Sequence, residues 1–262
     1  MVEVRAIPLL AWLRCTISHG MRFVLLLGRR LWTYSNERLY NISTAPPPHL
    51  RSDMLRKNQT QDGWWLQRIT ERALYKDGVY YAAIEYYYLK KLRRILNPKP
   101  HDVLFDVGCG MGRVLCVFAC KNMTRCIGVE ISEELCSWAR SNARQMRGRR
   151  TTIEVICGDA ASIDVSTGTI FVLYNPFGSK TLDSFLYNLR NSVRSNPRYV
   201  TVAYYRDVHR VLLEQEEWLQ EADHFTTWND VNVSIWRNVD VDIAAADNNK
   251  CRLPAKAAVG PL

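Results

Sequence analysis

Short apolar runs alternate with longer stretches of helical periodicity from residue 101 onward. Five of these runs have the length and the β-branched content of buried strands: "DVLFDVG", "RCIGVEI", "TTIEVICGD", "TIFVLYNPF" and "RYVTVAYY". Such an alternation predicts a mostly parallel sheet with helices on both faces. The helix after the second run is predicted to begin behind Ser132, because serine is a favourable N-cap residue.

The final apolar stretch has a different pattern. "HFTTWNDVNVSIWRN" contains two runs separated by Asn229 and Asp230, and runs this close together predict an antiparallel hairpin. The predicted fold class is therefore α/β: a doubly wound, mostly parallel seven-stranded sheet with a terminal antiparallel hairpin. An N-terminal helical extension precedes it.

Proline-rich and polar stretches divide the chain. The segment "STAPPPHLRSD" interrupts any helix, and "GVYYAAIEYYYLKKLRRIL" after it is predicted to be helical up to Asn97 and Pro98. We therefore expect a basic, partly helical extension over residues 1–63, a Rossmann-like domain over 64–243 and a disordered tail over 244–262.

Residues 1–36 contain two apolar runs of eight residues, separated by basic residues. Each is too short to span a bilayer, which takes about 20 residues. Three interpretations stay open: a helical extension packed on the domain, a basic segment for membrane-surface contact or organellar targeting, and a start codon placed too far upstream.

Composition adds little about function but something about the compartment. The chain has 262 residues and a formal net charge of +9, which suits an anionic partner without requiring one. Six of its eight cysteines lie between Cys109 and Cys157, several within apolar helical patterns. No CxxC or Cys/His ligand spacing is present, so we predict no metal site. A secreted disulfide framework would not usually place its cysteines in core elements, so we predict a reduced, cytoplasmic protein.

The stretch "FDVGCGMGRVL" places Gly108, Gly110 and Gly112 between the first strand and the first helix of the sheet. Ligands of open α/β sheets bind at such strand ends, so we expect a ligand to lie against bare backbone here. The G-x-G-x-G order differs from the G-x-G-x-x-G of dinucleotide sites. Asp106, just before the first glycine, suits a ligand that carries an ammonium and a sulfonium group.

From about residue 80 to residue 238, the chain resembles class I S-adenosylmethionine-dependent methyltransferases, above all poorly characterised bacterial members with a YNPF motif. "DVGCGMG" is similar to the first motif of that family, "GVEI" to its ribose-binding segment and "CGDA" to its adenine-binding segment. The resemblance implies that Glu130 accepts both ribose hydroxyls and that Asp159 accepts the adenine amino group. The cofactor-binding residues it implies are Asp106, Gly108, Cys109, Gly110, Gly112, Glu130, Ile131, Asp159, Ala160 and Asn175. As a strand-end carboxylate, Glu130 is expected to be dispensable for folding.

The string "YNPFG" resembles the N-P-P-aromatic signature of amino-group methyltransferases, with one proline fewer. It implies catalytic roles for Asn175, Pro176 and Phe177. Pro176 predicts an extended backbone at Asn175, and Phe177 is expected to exclude water from the reaction. A plain Asn-Pro turn is the alternative. His209 is a candidate general base by position.

The resulting prediction is methyl transfer from S-adenosylmethionine to an unidentified nucleophile, with an amino nitrogen as one option. A small molecule, an RNA and a protein all stay open as acceptor. The alternatives are a non-catalytic cofactor- or RNA-binding module and an NAD-dependent oxidoreductase, which the glycine spacing and the hairpin disfavour. The basic run "ARSNARQMRGRR" favours a nucleic-acid partner only weakly, because a solvated helix face explains most such runs.

Overall fold

A single sheet of seven strands organises the chain in the computed structural model, which describes residues 28, 30–45 and 81–239. The strands are β1 (Val103–Val107), β2 (Arg125–Glu130), β3 (Ile153–Cys157), β4 (Ile170–Tyr174), β5 (Thr201–Tyr205), β6 (Leu219–Thr226) and β7 (Asn232–Asn238). Their order is β3-β2-β1-β4-β5-β7-β6. The first five are parallel, and β7 is antiparallel to both β5 and β6. The predicted fold class is confirmed.

Strand β6 begins earlier than the sequence indicates. The predicted run starts at His224, but the strand starts at Leu219 and contains the polar stretch "QEADH". It pairs only with β7, at the edge of the sheet, with a register irregularity between Glu221 and Asp223. Because most of its side chains are at least partly exposed, an edge strand of this kind does not need an apolar run.

Six helices flank the sheet in the described part of the chain. They are α1 (residues 30–40), α2 (Tyr86–Leu96), α3 (Arg113–Phe118), α4 (Glu133–Gln145), α5 (Ser179–Ser195) and α6 (Arg210–Glu214). As predicted, the Ser132 hydroxyl caps α4 by accepting from the Leu135 N–H at 3.4 Å, and α2 ends at a left-handed Asn97. None of these helices combines the length and the apolarity needed to cross a membrane.

Arg113, the first residue of α3, binds residues that precede the sheet in the sequence. Its guanidinium is buried and donates to the Thr44 hydroxyl at 2.6 Å, the Ile84 carbonyl at 3.1 Å and the Glu37 carboxylate at 3.2 Å. Tyr40 belongs to the same hydrophobic core as the sheet. Residues 30–45 and 81–85 are therefore held next to the turn that leads into α3.

Several predictions from the sequence fall outside the described residues. These are the two apolar runs near the N-terminus, apart from Gly28, most of the proline-rich segment, the boundary near residue 63 and the C-terminal tail.

Candidate cofactor site

Two loops meet at the carboxyl edge of the sheet because β1 and β4 are neighbours. The first is the turn of residues 108–112, called here the glycine turn, and the second follows β4. A Cβ atom on Gly108 would lie 2.3 Å from the Cβ of Pro176. Gly108 also has a φ of +76°, which residues with side chains rarely adopt. Glycine at this position therefore lets the two loops touch, at the point where the strand order reverses and where α/β sheets bind ligands.

The close approach at Gly110 comes from the chain itself. A Cβ there would lie 2.4 Å from two ring carbons of Tyr81, and the φ of Gly110 is +51°. The Tyr81 hydroxyl donates to the Thr44 carbonyl at 2.8 Å, which fixes the ring in place. Tyr81 thus covers the middle of the glycine turn, a role that the sequence did not indicate.

Asp106 supplies a buried carboxylate two residues before Gly108 of the glycine turn. Asp106 is 3% exposed, and its Oδ2 has no hydrogen-bond partner among the described residues. Burial, together with the nearby Glu130 carboxylate, raises the pKa of Asp106 well above its usual range. A buried oxygen without a partner is costly, so a cationic group bound here would both satisfy the oxygen and favour its ionised form.

Glu130, the last residue of β2, faces the glycine turn across the site. Its Oε2 accepts from the Gly110 N–H at 2.9 Å, while its Oε1 accepts from the N–H groups of Ile131 and Ser132 at 2.9 and 3.0 Å. A carboxylate has about four lone-pair positions, so these three bonds leave about one for a ligand. Accepting both ribose hydroxyls would require the bond to Gly110 to be released.

The remaining predicted cofactor residues lie around the same edge. Gly112 caps α3 with a φ of +79°, and the buried Cys109 donates its N–H to the Val129 carbonyl at 2.9 Å. Asp159 is exposed, and its Oδ1 accepts from the Ala161 N–H at 2.9 Å. Ala160 is buried and Ile131 half-buried. These contacts place the residues at the strand ends, and their contacts with a cofactor stay predictions.

Asn175 follows β4 with its side chain buried and oriented. Its φ is +38°, in the left-handed region, so the extended backbone predicted from Pro176 is wrong. Asparagine tolerates this conformation better than most residues. Its Oδ1 accepts from the Tyr204 hydroxyl at 3.1 Å. Phe177 lies in the hydrophobic core and packs against Phe185 of α5, with ring centroids 6.4 Å apart.

A sequence model of a family described as "Methyltransferase domain" matches residues 104–195. That range begins in β1 and includes the glycine turn, Asp106, Glu130 and Asn175. The chain carries a class I S-adenosylmethionine-dependent methyltransferase domain. The resemblance to class I methyltransferases is thereby confirmed, whereas the likeness to members with a YNPF motif stays a prediction.

The relatives of this methyltransferase domain are distant. A protein-lysine N-methyltransferase from Saccharolobus islandicus (strain REY15A) is 26% identical over 88 residues, which make up 33% of this chain and 53% of that protein. The chain thus spans about half the length of this curated relative. Among solved structures, an RNA methyltransferase from Salinibacter ruber in complex with S-adenosyl-L-homocysteine matches with a TM-score of 0.46 and 22% identity, over 61% of this chain and 95% of that one. A dimethyladenosine transferase from Plasmodium falciparum matches with a TM-score of 0.48 and 14% identity, over 65% and 67% of the two chains.

Two features of the site fit S-adenosylmethionine. The unpartnered Oδ2 of Asp106 suits the ammonium of the methionine moiety. Glu130 lies one strand away, where the remaining lone-pair position can accept a ribose hydroxyl. The residues present therefore fit the cofactor that the family uses.

The contacts of Glu130 lead to a prediction about stability as well as binding. We expect Glu130→Ala to weaken cofactor binding by roughly 2–3 kcal/mol, the scale for a lost charge-assisted acceptor. Because it would also orphan three backbone N–H groups, the variant should unfold at a lower temperature than the wild type. This corrects the expectation that Glu130 is dispensable for folding.

Glu130→Gln is the matched variant, since its amide oxygen can retain part of the backbone bonding. Isothermal titration with S-adenosylhomocysteine and thermal unfolding of both variants check the prediction. Wild-type stability of Glu130→Ala would contradict the structural role assigned to the carboxylate, and wild-type affinity would contradict its place in the cofactor site.

Proposed function

We propose that this chain transfers the methyl group of S-adenosylmethionine to an amino nitrogen, and that Asn175 orients this acceptor. The observation that carries the proposal is the position of the Asn175 carboxamide. It is buried at the end of β4, and the following residue, Pro176, packs directly on Gly108 of the glycine turn. The carboxamide and the cofactor site therefore occupy neighbouring loops on one edge of the sheet.

A buried hydrogen bond fixes the direction of the Asn175 side chain. The Tyr204 hydroxyl donates to Oδ1 of Asn175 at 3.1 Å. Burial raises the pKa of Tyr204 to about 12, so the hydroxyl keeps that proton at neutral pH. Oδ1 is thus held as an acceptor with a second lone pair to offer.

This arrangement matches what an amine needs during methyl transfer. The cofactor supplies an electrophilic methyl group on a good leaving group, so the protein mainly has to align the nucleophile. A hydrogen bond from the amine N–H to Oδ1 of Asn175 would orient the amine, with its lone pair directed away from that hydrogen bond. An acceptor that arrives as an ammonium must first lose a proton.

His209 lies half-buried directly before α6. The candidate role of its imidazole as a general base stays a prediction. In this proposal, a neutral amine reacts without a base, so the rate should rise with pH as the acceptor amine loses its proton.

Protein lysine is the acceptor class that we favour. The curated relative is a protein-lysine N-methyltransferase, and a lysine side chain is long enough to bring an amine to a buried carboxamide. The basic run of residues 139–150 gives little support for RNA as the methyl acceptor at this site. Its exposed end leads into the start of β3, at the amino edge of the sheet and opposite the glycine turn.

Transfer of a radiolabelled methyl group into cell extract tests the proposal. We expect label in protein, lost on protease treatment, retained on nuclease treatment and recovered as methyl-lysine after hydrolysis. Label in nucleic acid would overturn the acceptor class, and label on oxygen or sulfur would overturn the role of Asn175. If S-adenosylhomocysteine binds but no extract fraction accepts label, the chain is a non-catalytic cofactor-binding module.

A further inference from the structure

Two cysteines that lie 21 positions apart in the sequence meet at the outer side of the candidate cofactor site. Cys157 ends β3, and Cys136 lies in α4 one turn after Glu133. The two sulfurs and a carboxylate oxygen of Glu133 all lie within 4.8 Å of one another. We infer that these three side chains form a site for a thiophilic divalent metal ion of the zinc class.

The topology explains why sequence spacing could not reveal this cluster. Cys157 is the register partner of Glu130 in the parallel pair of β3 and β2. Helix α4 begins shortly after Glu130, and its residues Glu133 and Cys136 are three positions apart, which places them on one face. Helix α4 thus contributes two ligands and β3 contributes one, so no CxxC pattern is needed.

The distances are compatible with tetrahedral coordination. Zinc–sulfur bonds of about 2.3 Å and zinc–oxygen bonds of about 2.0–2.2 Å place ligand atoms roughly 3.6–3.8 Å apart. The three atoms therefore have to approach by at most about 1 Å. Glu133 and Cys157 are exposed and Cys136 is buried, so rotation of the two exposed side chains can close the site around an ion that enters from solvent.

Arg140 balances the charge of the cluster. Two thiolates and one carboxylate carry three negative charges, a divalent ion leaves one, and one guanidinium cancels it. Arg140 is placed for this, with Nη1 donating to Oε1 of Glu133 at 2.8 Å and Nη2 to the Val155 carbonyl at 3.3 Å. A carboxylate can keep this bond and still offer an oxygen to a metal ion.

Each thiol donates a weak hydrogen bond to a backbone carbonyl. Cys136 donates to the Glu130 carbonyl with a sulfur–oxygen distance of 3.3 Å, and Cys157 donates to the Ile131 carbonyl with a distance of 3.8 Å. Hydrogen bonds that involve sulfur are weak, so little stabilisation would be lost when a metal ion replaces the thiol protons. The ion would tie the start of α4 to the end of β3, beside the segment that carries Glu130.

The test uses the full chain, reduced and freed of metal, with Cd²⁺ as the probe. We expect a thiolate-to-metal charge-transfer absorption and a rise in the unfolding temperature on titration. Loss of an outer-shell partner alone weakens metal sites by about 10–100-fold, so Cys157→Ser should weaken binding by at least about 100-fold. Glu133→Gln should weaken it by about tenfold or more.

Cys120→Ser is the matched control, because Cys120 is half-buried and lies outside the cluster. It should bind Cd²⁺ like the wild type. Equal affinity in Cys157→Ser and the wild type would overturn the proposal, as would the absence of any cadmium–thiolate absorption in the reduced wild type. Loss of the two thiols as a disulfide without metal uptake would overturn it as well and would assign the pair a redox role instead.

Discussion

An Asp106→Asn protein is expected to lose at least about 100-fold in affinity for S-adenosylmethionine while unfolding at the same or a higher temperature than the wild type. Both effects come from one buried atom, since Oδ2 of Asp106 has no partner among the described residues. Removing the charge removes a buried ionisable group that is costly in the free protein. It also removes the acceptor for the cofactor ammonium, and charge-assisted bonds in such sites are strong.

The pH dependence of stability provides a second readout. The folded-state pKa of Asp106 is raised, chiefly by burial, so between the unfolded and folded pKa values the folded protein holds more protons than the unfolded one. Stability contributed by the protonated carboxyl is therefore present at low pH and lost as the pH rises through that window. The difference in stability between Asp106→Asn and the wild type should grow with pH across the same window.

Asp223→Asn is a suitable control, because Asp223 is exposed on the edge strand β6. It should change neither cofactor affinity nor the pH profile. Thermal unfolding over a range of pH values and isothermal titration with the cofactor give all the quantities needed. Wild-type cofactor affinity in a folded Asp106→Asn protein would remove Asp106 from the cofactor site.

The architecture was predictable because it depends on local patterns that repeat along the chain. Buried parallel strands must be apolar throughout, so β1 and β4 stand out as short runs between helical segments. The start of α4 at Ser132 and the end of α2 at Asn97 follow from capping preferences of single residues. The start of β6 was missed because an edge strand whose side chains are mostly exposed carries no such pattern.

The components of the site that escaped prediction all depend on long-range contacts. Tyr204 reads as one more apolar strand residue, and its hydroxyl acts on Asn175, 29 positions away. Tyr81 lies in a tyrosine-rich stretch that reads as an amphipathic helix, yet its ring covers Gly110. The bare backbone of the glycine turn was expected to lie against a ligand, whereas the structure packs an aromatic ring of the same chain against Gly110.

Local rules also failed where tertiary contacts overrode them. The preference of a residue before proline for extended backbone predicted the wrong conformation for Asn175, which is left-handed. The contact of Pro176 with Gly108 and the bond from Tyr204 hold the turn in this conformation. Backbone held in a sparsely populated region is typical of functional sites, and this supports the role assigned to Asn175.

Replacing Asn175 should abolish most of the turnover without removing the cofactor. Asn175→Ala is a poor choice on its own, because alanine in a left-handed conformation costs about 1–2 kcal/mol. Asn175→Gly avoids that strain, since glycine adopts a φ of +38° freely. It deletes the whole side chain without straining the backbone, so a loss of rate at an unchanged unfolding temperature can be assigned to the side chain.

We expect Asn175→Gly to keep its cofactor affinity within about threefold and to lose on the order of 10²-fold or more in single-turnover rate, as a positioning group should. Tyr204→Phe keeps the carboxamide but frees its rotation, so it should lose less, about tenfold, with cofactor affinity unchanged. Single-turnover rates, cofactor affinity and unfolding temperature are measured on one preparation of each variant. A turn residue with no part in the chemistry would leave the rate per folded molecule unchanged in both variants. That result would remove Asn175 from the active site, whereas a graded loss from Tyr204→Phe to Asn175→Gly at constant cofactor affinity requires an oriented carboxamide at the acceptor.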